Sequence, residues 1–193
     1  MYIVFALLIN DTIHNLLREI SLECFNETGN FDFNNLILPH ISIKQSFETH
    51  DISKTTELFD TFFSKYNQFE VEIDIFEIIE DNTYPIQRNI LWLKIKTNSI
   101  LTDMHNNLNQ LLQDFGIFNR LYDGDDYTFH ITVLLGPMDL TKLKLKLDKL
   151  NSLSINKTIL IKKAVMFLCP YDYIDLNRII TYRLTNLQHF DKT

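Results

Sequence analysis

The sequence predicts a mixed α/β (α+β) chain made of two similar halves. Three observations predict it. Stretches whose apolar residues alternate with period two are interleaved with stretches whose apolar residues recur every three or four positions. The resulting order, strand–helix–strand–helix–strand, occurs twice. One short signature sits in the second strand of each half: Pro39-His40-Ile41-Ser42-Ile43 and Phe129-His130-Ile131-Thr132-Val133, their histidines ninety positions apart.

The first strand is expected over residues 2–9, an apolar run too short to span a membrane and lacking a basic leader. Asp11 is the expected cap of a helix with Ile13, Leu16, Leu17 and Ile20 on one face. Residues 24–35 are polar and read as irregular. Residues 36–47 read as the strand that carries His40. Ser53 is the expected cap of the next helix, with Leu58, Phe59, Phe62, Phe63 and Tyr66 on its apolar face. Residues 69–79 alternate, placing Phe69, Val71, Ile73 and Ile75 on one face and Glu70, Glu72 and Asp74 on the other.

Residues 81–89 form a connector containing Pro85, and the second series begins at a strand over 90–96. Ser99 is the expected cap of a helix striped by Met104, Leu108, Leu111, Leu112 and Phe115, and Gly116 is a natural stop. A strand over 127–135 carries His130. Asp139 caps a helix through Leu140, Leu143, Leu147 and Leu150, whose Lys142, Lys144 and Lys146 form a solvated face. Strands over 158–168 and 178–184 complete the chain. The expectation is one domain over 1–193, with halves of roughly 1–80 and 90–193 around a shared core.

Composition narrows the function. Apolar residues make up 46% of the 193, with fifteen phenylalanines, so a packed core is expected rather than disorder. The formal net charge of −7 argues against a long basic track on double-stranded nucleic acid, yet permits a small anionic ligand held by local cations. Cys24 and Cys169 show neither metal spacing nor a disulfide framework, which suits a reducing, cytoplasmic setting. Glycine, proline and alanine are scarce and Asn, Ile, Leu and Lys plentiful, as in AT-rich coding genomes. Asp123, Gly124, Asp125 and Asp126 lack the spacing and closing Glu of a calcium loop and read as a turn.

The two signatures carry the chemistry. Side chains alternate across a strand, so His40 and Ser42 point one way while Ile41 and Ile43 point into the core; His130 and Thr132 oppose Ile131 and Val133 likewise. If the two strands meet at a pseudo-twofold axis, two imidazoles and two hydroxyls face one groove. Ser42 and Thr132 then hydrogen-bond a phosphate, one histidine removes a proton from a hydroxyl or water, and the other protonates the leaving oxygen. Hydrogen bonds and an imidazolium meet the charge at phosphorus, so this chemistry calls for no metal or cofactor. By alternation Lys44 and Thr128 are also expected on the groove. Tyr127, Tyr84 and Arg88, in or near loops, are candidates to stack a base or hold a phosphate. His14, His50, His105 and His189 lack the pattern.

This combination resembles the two-histidine (2H) phosphoesterase superfamily, which includes the 2′-5′ RNA ligase-like or LigT-like proteins. Their pattern of His, any residue, Thr or Ser, and an apolar residue occurs twice here, at His40 to Ile43 and at His130 to Val133. The resemblance implies a bilobal fold: two pseudo-symmetric lobes with antiparallel sheets around a central groove and helices outside. It assigns catalytic roles to His40, Ser42, His130 and Thr132, without metal or cofactor. It implies a small nucleotide or RNA-end substrate with a 2′-linked phosphodiester, such as 2′-5′ oligoadenylate or a cyclic dinucleotide, whose destruction antagonises immune signalling in some viral members. A 2′,3′-cyclic phosphodiesterase or RNA-end processor and a non-catalytic nucleotide binder are the other readings. No membrane partner and a monomer are expected.

Overall fold

The computed structural model describes residues 1–28, 38–81, 88–117, 123–155, 157–170 and 181–189. Along them run β1 (Tyr2–Leu8), α1 (Asp11–Thr28), β2 (His40–Ser42), β3 (Phe47–Glu48), α2 (Ile52–Phe63) and β4 (Phe69–Asp81). The second series is β5 (Arg88–Ile95), α3 (Ser99–Asp114), β6 (His130–Gly136), α4 (Leu140–Asn151), β7 (Thr158–Ile161), β8 (Lys163–Cys169) and β9 (Thr181–Asn186). The chain is α+β, as expected, with every strand pair antiparallel.

The strands form one curled order, β7-β4-β5-β6-β2-β1-β8-β9, with β3 also pairing β1. Its centre is the β2–β6 junction, and the two arms outward from it correspond: β2-β1-β8 and β6-β5-β4. Each arm takes its third strand from the other half of the sequence. Strand β4 pairs with β5, and β8 pairs with β1 along its whole length. This exchange interlocks the halves through ladder hydrogen bonds as well as packing.

Most helix caps lie upstream of the expected residue. Asn10 Oδ1 accepts from the Ile13 N–H, Asp51 from Lys54, and Asn98 from Leu101, in place of Asp11, Ser53 and Ser99. In each case an Asn or Asp precedes the expected cap and offers a side-chain oxygen at least as effective. Asp139 caps α4 as expected. Gly116 closes α3 at φ +76°: its N–H donates to Gln113 O and that of Ile117 to Leu112 O. Helix α1 continues past residue 24 to Thr28, burying Ser21 and Cys24, so the expected irregular segment starts too early.

Three strands also depart from expectation. The segment 36–47 is not one strand: β2 pairs Leu8 with His40 and Ala6 with Ser42, whereas β3 pairs Ile3 with Phe47. The register against β1 slips by two residues between them, and residues 43–46 bulge out of the alternation. In β4 the buried row Phe69, Val71 and Ile73 continues at Phe76, because a register shift lies between Ile73 and Phe76; Ile75 is exposed. The segment 158–168 breaks at Lys162, sending β7 to β4 and β8 to β1.

The main core lies between the sheet and the helices. It joins Ile13, Leu17 and Ile20 of α1, the Phe face of α2, Met104, Leu108 and Leu112 of α3, and Leu143 and Leu150 of α4 to inward residues of the strands. Phe5 is its aromatic centre, edge-on to Phe47, Phe59 and Phe63 at 5.4, 5.1 and 6.1 Å. A small cluster of Val4, Ala6, Val165 and Phe167 lines the opposite face of β1 and β8. Among the described residues no helix is long and apolar enough to cross a membrane. Phe59 is fully buried between α2 and β1. Phe59→Ala is expected to lower unfolding free energy by about 3–5 kcal/mol in urea titrations; a loss below about 1 kcal/mol would mean the cluster does not hold α2 to the sheet.

Candidate active site

The two signatures meet where the arms meet. Ile41 pairs with Ile131 in antiparallel register. One step either way sets His40 beside Thr132 and Ser42 beside His130, with opposed Cα atoms about 5 Å apart. Ile41, Ile43, Ile131 and Val133 are buried on the helix side. The two imidazoles and two hydroxyls therefore share the other face, each histidine alongside the hydroxyl of the opposite motif.

Each ring is held in the same way. His40 Nδ1 lies 2.7 Å from Leu38 O, and His130 Nδ1 lies 2.8 Å from Thr128 O. A carbonyl only accepts, so Nδ1 carries the proton in both rings and Nε2 is left for chemistry. Each ring also rests on an aromatic neighbour. Phe167 of β8 lies 4.7 Å from the His40 ring, and Trp92 of β5 lies 4.2 Å from His130. Burial pushes the His40 pKa down to about 4, a backbone hydrogen bond to Leu38 opposes the shift, and the charge of His130 adds to it. Burial also lowers His130, against the hydrogen bond to Thr128.

Lys44 does not reach this face. The bulge at 43–46 turns it inward, fully buried, where Nζ donates to Asp123 Oδ2 at 2.8 Å and Asn109 Oδ1 at 2.9 Å. Asp123 Oδ1 accepts from the Gln45 N–H. Asn109 Nδ2 donates to His105 Nε2, and His105 Nδ1 donates to Ile43 O at 2.6 Å. Tyr127 is likewise a brace rather than a base-stacking residue: its ring stacks on His105 at 4.2 Å and its hydroxyl donates to Ser42 O at 3.1 Å. Thr128 precedes β6 and serves His130 through its carbonyl. Arg88 opens β5 opposite Asp81; its side chain, like all of Tyr84, lies outside the described residues.

Several residues around the site escaped sequence reasoning. Asp123 was legible only as part of a turn, because its partner Lys44 is 79 positions away. Trp92, the only tryptophan, and Lys94 alternate toward the groove on β5, opposite Thr132 and His130. Both meet Glu77 of β4: Trp92 Nε1 donates to Oε2 at 3.0 Å, and Lys94 Nζ lies 3.3 Å from Oε1. Among the described residues no group of three His, Cys, Asp or Glu side chains could hold a metal ion. The buried pair ties the segment after Ser42 to the segment before His130. Lys44→Met and Asp123→Leu are each expected to destabilise the fold by about 3–5 kcal/mol, and the two combined to recover much of it. Equilibrium unfolding of the two single variants and the double variant measures this; additive losses would refute the coupling.

Comparison with known proteins places this geometry. E.coli LigT complexed with 3′-AMP superposes with a TM-score of 0.54 at 10% identity, covering 96% of this chain and 97% of that one. TT0787 of Thermus thermophilus gives 0.57 at 10%, over 98% and 100%. A structure described as a phosphoesterase gives 0.59 at 11%, over 96% and 97%. At such identities these likenesses show the fold. No curated protein sequence matches the chain. The family model described as the 2′-5′ RNA ligase superfamily matches residues 11–155, a span that contains both His-bearing strands. With that match over most of its length, the chain belongs to the 2′-5′ RNA ligase superfamily of two-histidine phosphoesterases.

Proposed function

We propose that the protein cleaves a 2′-linked phosphodiester in a small nucleotide, with His40 and His130 as its acid–base pair. The observation that carries this reading is the Ile41–Ile131 register, which interleaves the two motifs on one face. A phosphate seated there accepts hydrogen bonds from Ser42 and Thr132. One Nε2 takes a proton from the attacking oxygen, and the other gives one to the leaving oxygen. Fixed donors and an imidazolium stabilise the charge that develops at phosphorus. In a 2′-5′ linkage the neighbouring 3′-hydroxyl attacks, the 5′-oxygen leaves, and a 2′,3′-cyclic phosphate results. 2′-5′ oligoadenylate and 2′-5′-containing cyclic GMP-AMP are the leading substrates, and their removal is the route to antagonising nucleotide immune signals.

A second reading is hydrolysis of a 2′,3′-cyclic phosphate, with water as nucleophile. It is favoured by the 3′-AMP bound in LigT, since a nucleoside 3′-phosphate is one way such a ring opens. A chromatographic panel of 2′-5′ oligoadenylate, 2′,3′-cyclic GMP-AMP and 2′,3′-cyclic mononucleotides separates the readings.

On whichever substrate is cleaved, His40→Ala and His130→Ala are each expected to lower kcat by about 10²–10⁴ while leaving much of the binding. Near-normal turnover by either variant would refute the two-histidine mechanism. Activity is expected to persist in EDTA; full loss on chelation would show a metal-dependent step.

The pH profile follows from burial. Catalysis needs one imidazole protonated and one free. Both are held below the ordinary histidine value of 6.5. The singly protonated pair is therefore most populated on the acid side of 6.5, and kcat/KM is expected to peak there and to fall toward pH 8. Rates measured from about pH 4.5 to about 8.5 test it, and a maximum above about pH 7 would contradict it.

A further inference from the structure

The two histidines are equivalent in backbone but not in surroundings. His130 lies against the face of the Trp92 indole, ring centroids 4.2 Å apart and planes at 32°. The indole N–H donates to Glu77 Oε2. A carboxylate on that N–H pushes electron density into the ring, and an electron-rich indole face is the best aromatic surface for a cation. The groups facing His130 are His40 and Ser42 from β2, Lys94 from β5, and Glu77 from β4. Glu77 also pairs the Lys94 ammonium, so the nearest fixed charges offset each other.

His40 sits differently. Its ring meets Phe167 at a tilt of 52°, beside the apolar cluster of Val4, Ala6 and Val165. Leu8 pairs with it from β1, and the next residue in that cross-strand row is Lys163 of β8, a second cation. From β6 it faces Thr132 and His130. Of these neighbours only the Phe167 ring favours an imidazolium, and a tilted phenyl is a weaker surface for a cation than an indole face.

We propose that Trp92, anchored by Glu77, is a positioning residue that makes His130 the proton donor and leaves His40 as the base. This rests on the two-histidine reading given above and adds the direction of proton flow. In a 2′-5′ linkage the 3′-hydroxyl gives its proton to His40 Nε2 as the new oxygen–phosphorus bond forms. The bond from phosphorus to the 5′-oxygen breaks, and that oxygen takes the proton from His130 Nε2. His40 ends protonated and His130 neutral; exchange with solvent restores the starting state. His40, its pKa held at about 4 mainly by burial and in part by charge on His130, is free of a proton near neutral pH, as the base in this order must be.

A sulfur leaving group tests the assignment, because a thiolate departs without a proton. The probes are 2′-5′-linked diadenylate and its analogue with sulfur at the bridging 5′ position, given to the wild type, His40→Gln and His130→Gln. The expected result is that sulfur restores His130→Gln by about a hundredfold relative to the oxygen substrate and leaves His40→Gln impaired. Restoration of His40→Gln instead, of both alike, or of neither overturns the assignment. If either variant cleaves the oxygen substrate normally, the two-histidine reading itself fails. If the wild type leaves diadenylate intact, the 2′-5′ linkage fails as substrate.

Trp92 has its own readout. Trp92→Leu is expected to shift the alkaline limb of the kcat/KM profile to lower pH while the acid limb stays, and Trp92→Phe to shift it less. A Trp92→Leu profile unchanged in shape, whatever its height, would show that Trp92 is structural only.

Discussion

One backbone pairing sets the chemistry: Ile41 against Ile131, where the two arms of the sheet meet. Both side chains are fully buried, and their fixed direction decides the direction of everything beside them. A slip of one residue in either strand would turn its His and hydroxyl into the core and its isoleucine into the groove. The junction is short, since β2 has only three residues, so its register is held from outside. Ladders from β1 to β8 and from β4 to β5 clamp each arm with a strand of the other half. Tyr127, His105 and the Lys44–Asp123 pair fasten the carbonyls of Ser42 and Ile43 and the N–H of Gln45. The buried polar cluster thus lies directly behind the site and connects its two motifs.

What the sequence revealed and what it hid follow from the range of the interactions. The order of elements was legible because apolar periodicity is local: the stripe Met104, Leu108 and Leu112 needs no partner to be recognised. The motifs were legible because alternation is local too, and His40 and Ser42 do share a face. Lys44 was misread by the same rule. The rule holds only while the strand continues, and β2 ends at Ser42, where β1 imposes a two-residue slip between β2 and β3. Asp123 was hidden because a turn composition says nothing of a partner 79 residues upstream. Phe167 and Trp92 carry no local signal of a role; only the order of the strands brings them against the two imidazoles.

The duplicated backbone explains why two near-identical motifs recur, and the divergence around them explains how they differ in role. Both Nδ1 atoms donate to the carbonyl two residues earlier, so each ring presents Nε2 in the same manner. A symmetric pair would bind a phosphate equally well in either orientation and would have no preferred direction for its proton. The indole on one side and the phenyl on the other remove that degeneracy. They do so without disturbing the strands, because Trp92 stands one strand and Phe167 two strands away from the motif each supports.

Net charge and site chemistry are consistent on the same physical ground. A chain of net charge −7 repels a long polyanion as a whole, and screening confines that repulsion to about 8 Å at physiological salt. Among the described residues the groups on that face include two hydroxyls, two imidazoles, the Lys94 ammonium, itself paired with Glu77, and Lys163 in the cross-strand row of His40. Such a set can hold one phosphodiester, and among the described residues it forms no continuous cationic track for the next. Under the proposed function, the described groups of this face suit a short ligand held through hydrogen bonds at a single phosphorus, with the aromatic rings of Phe167 and Trp92 acting on the imidazoles they pack against.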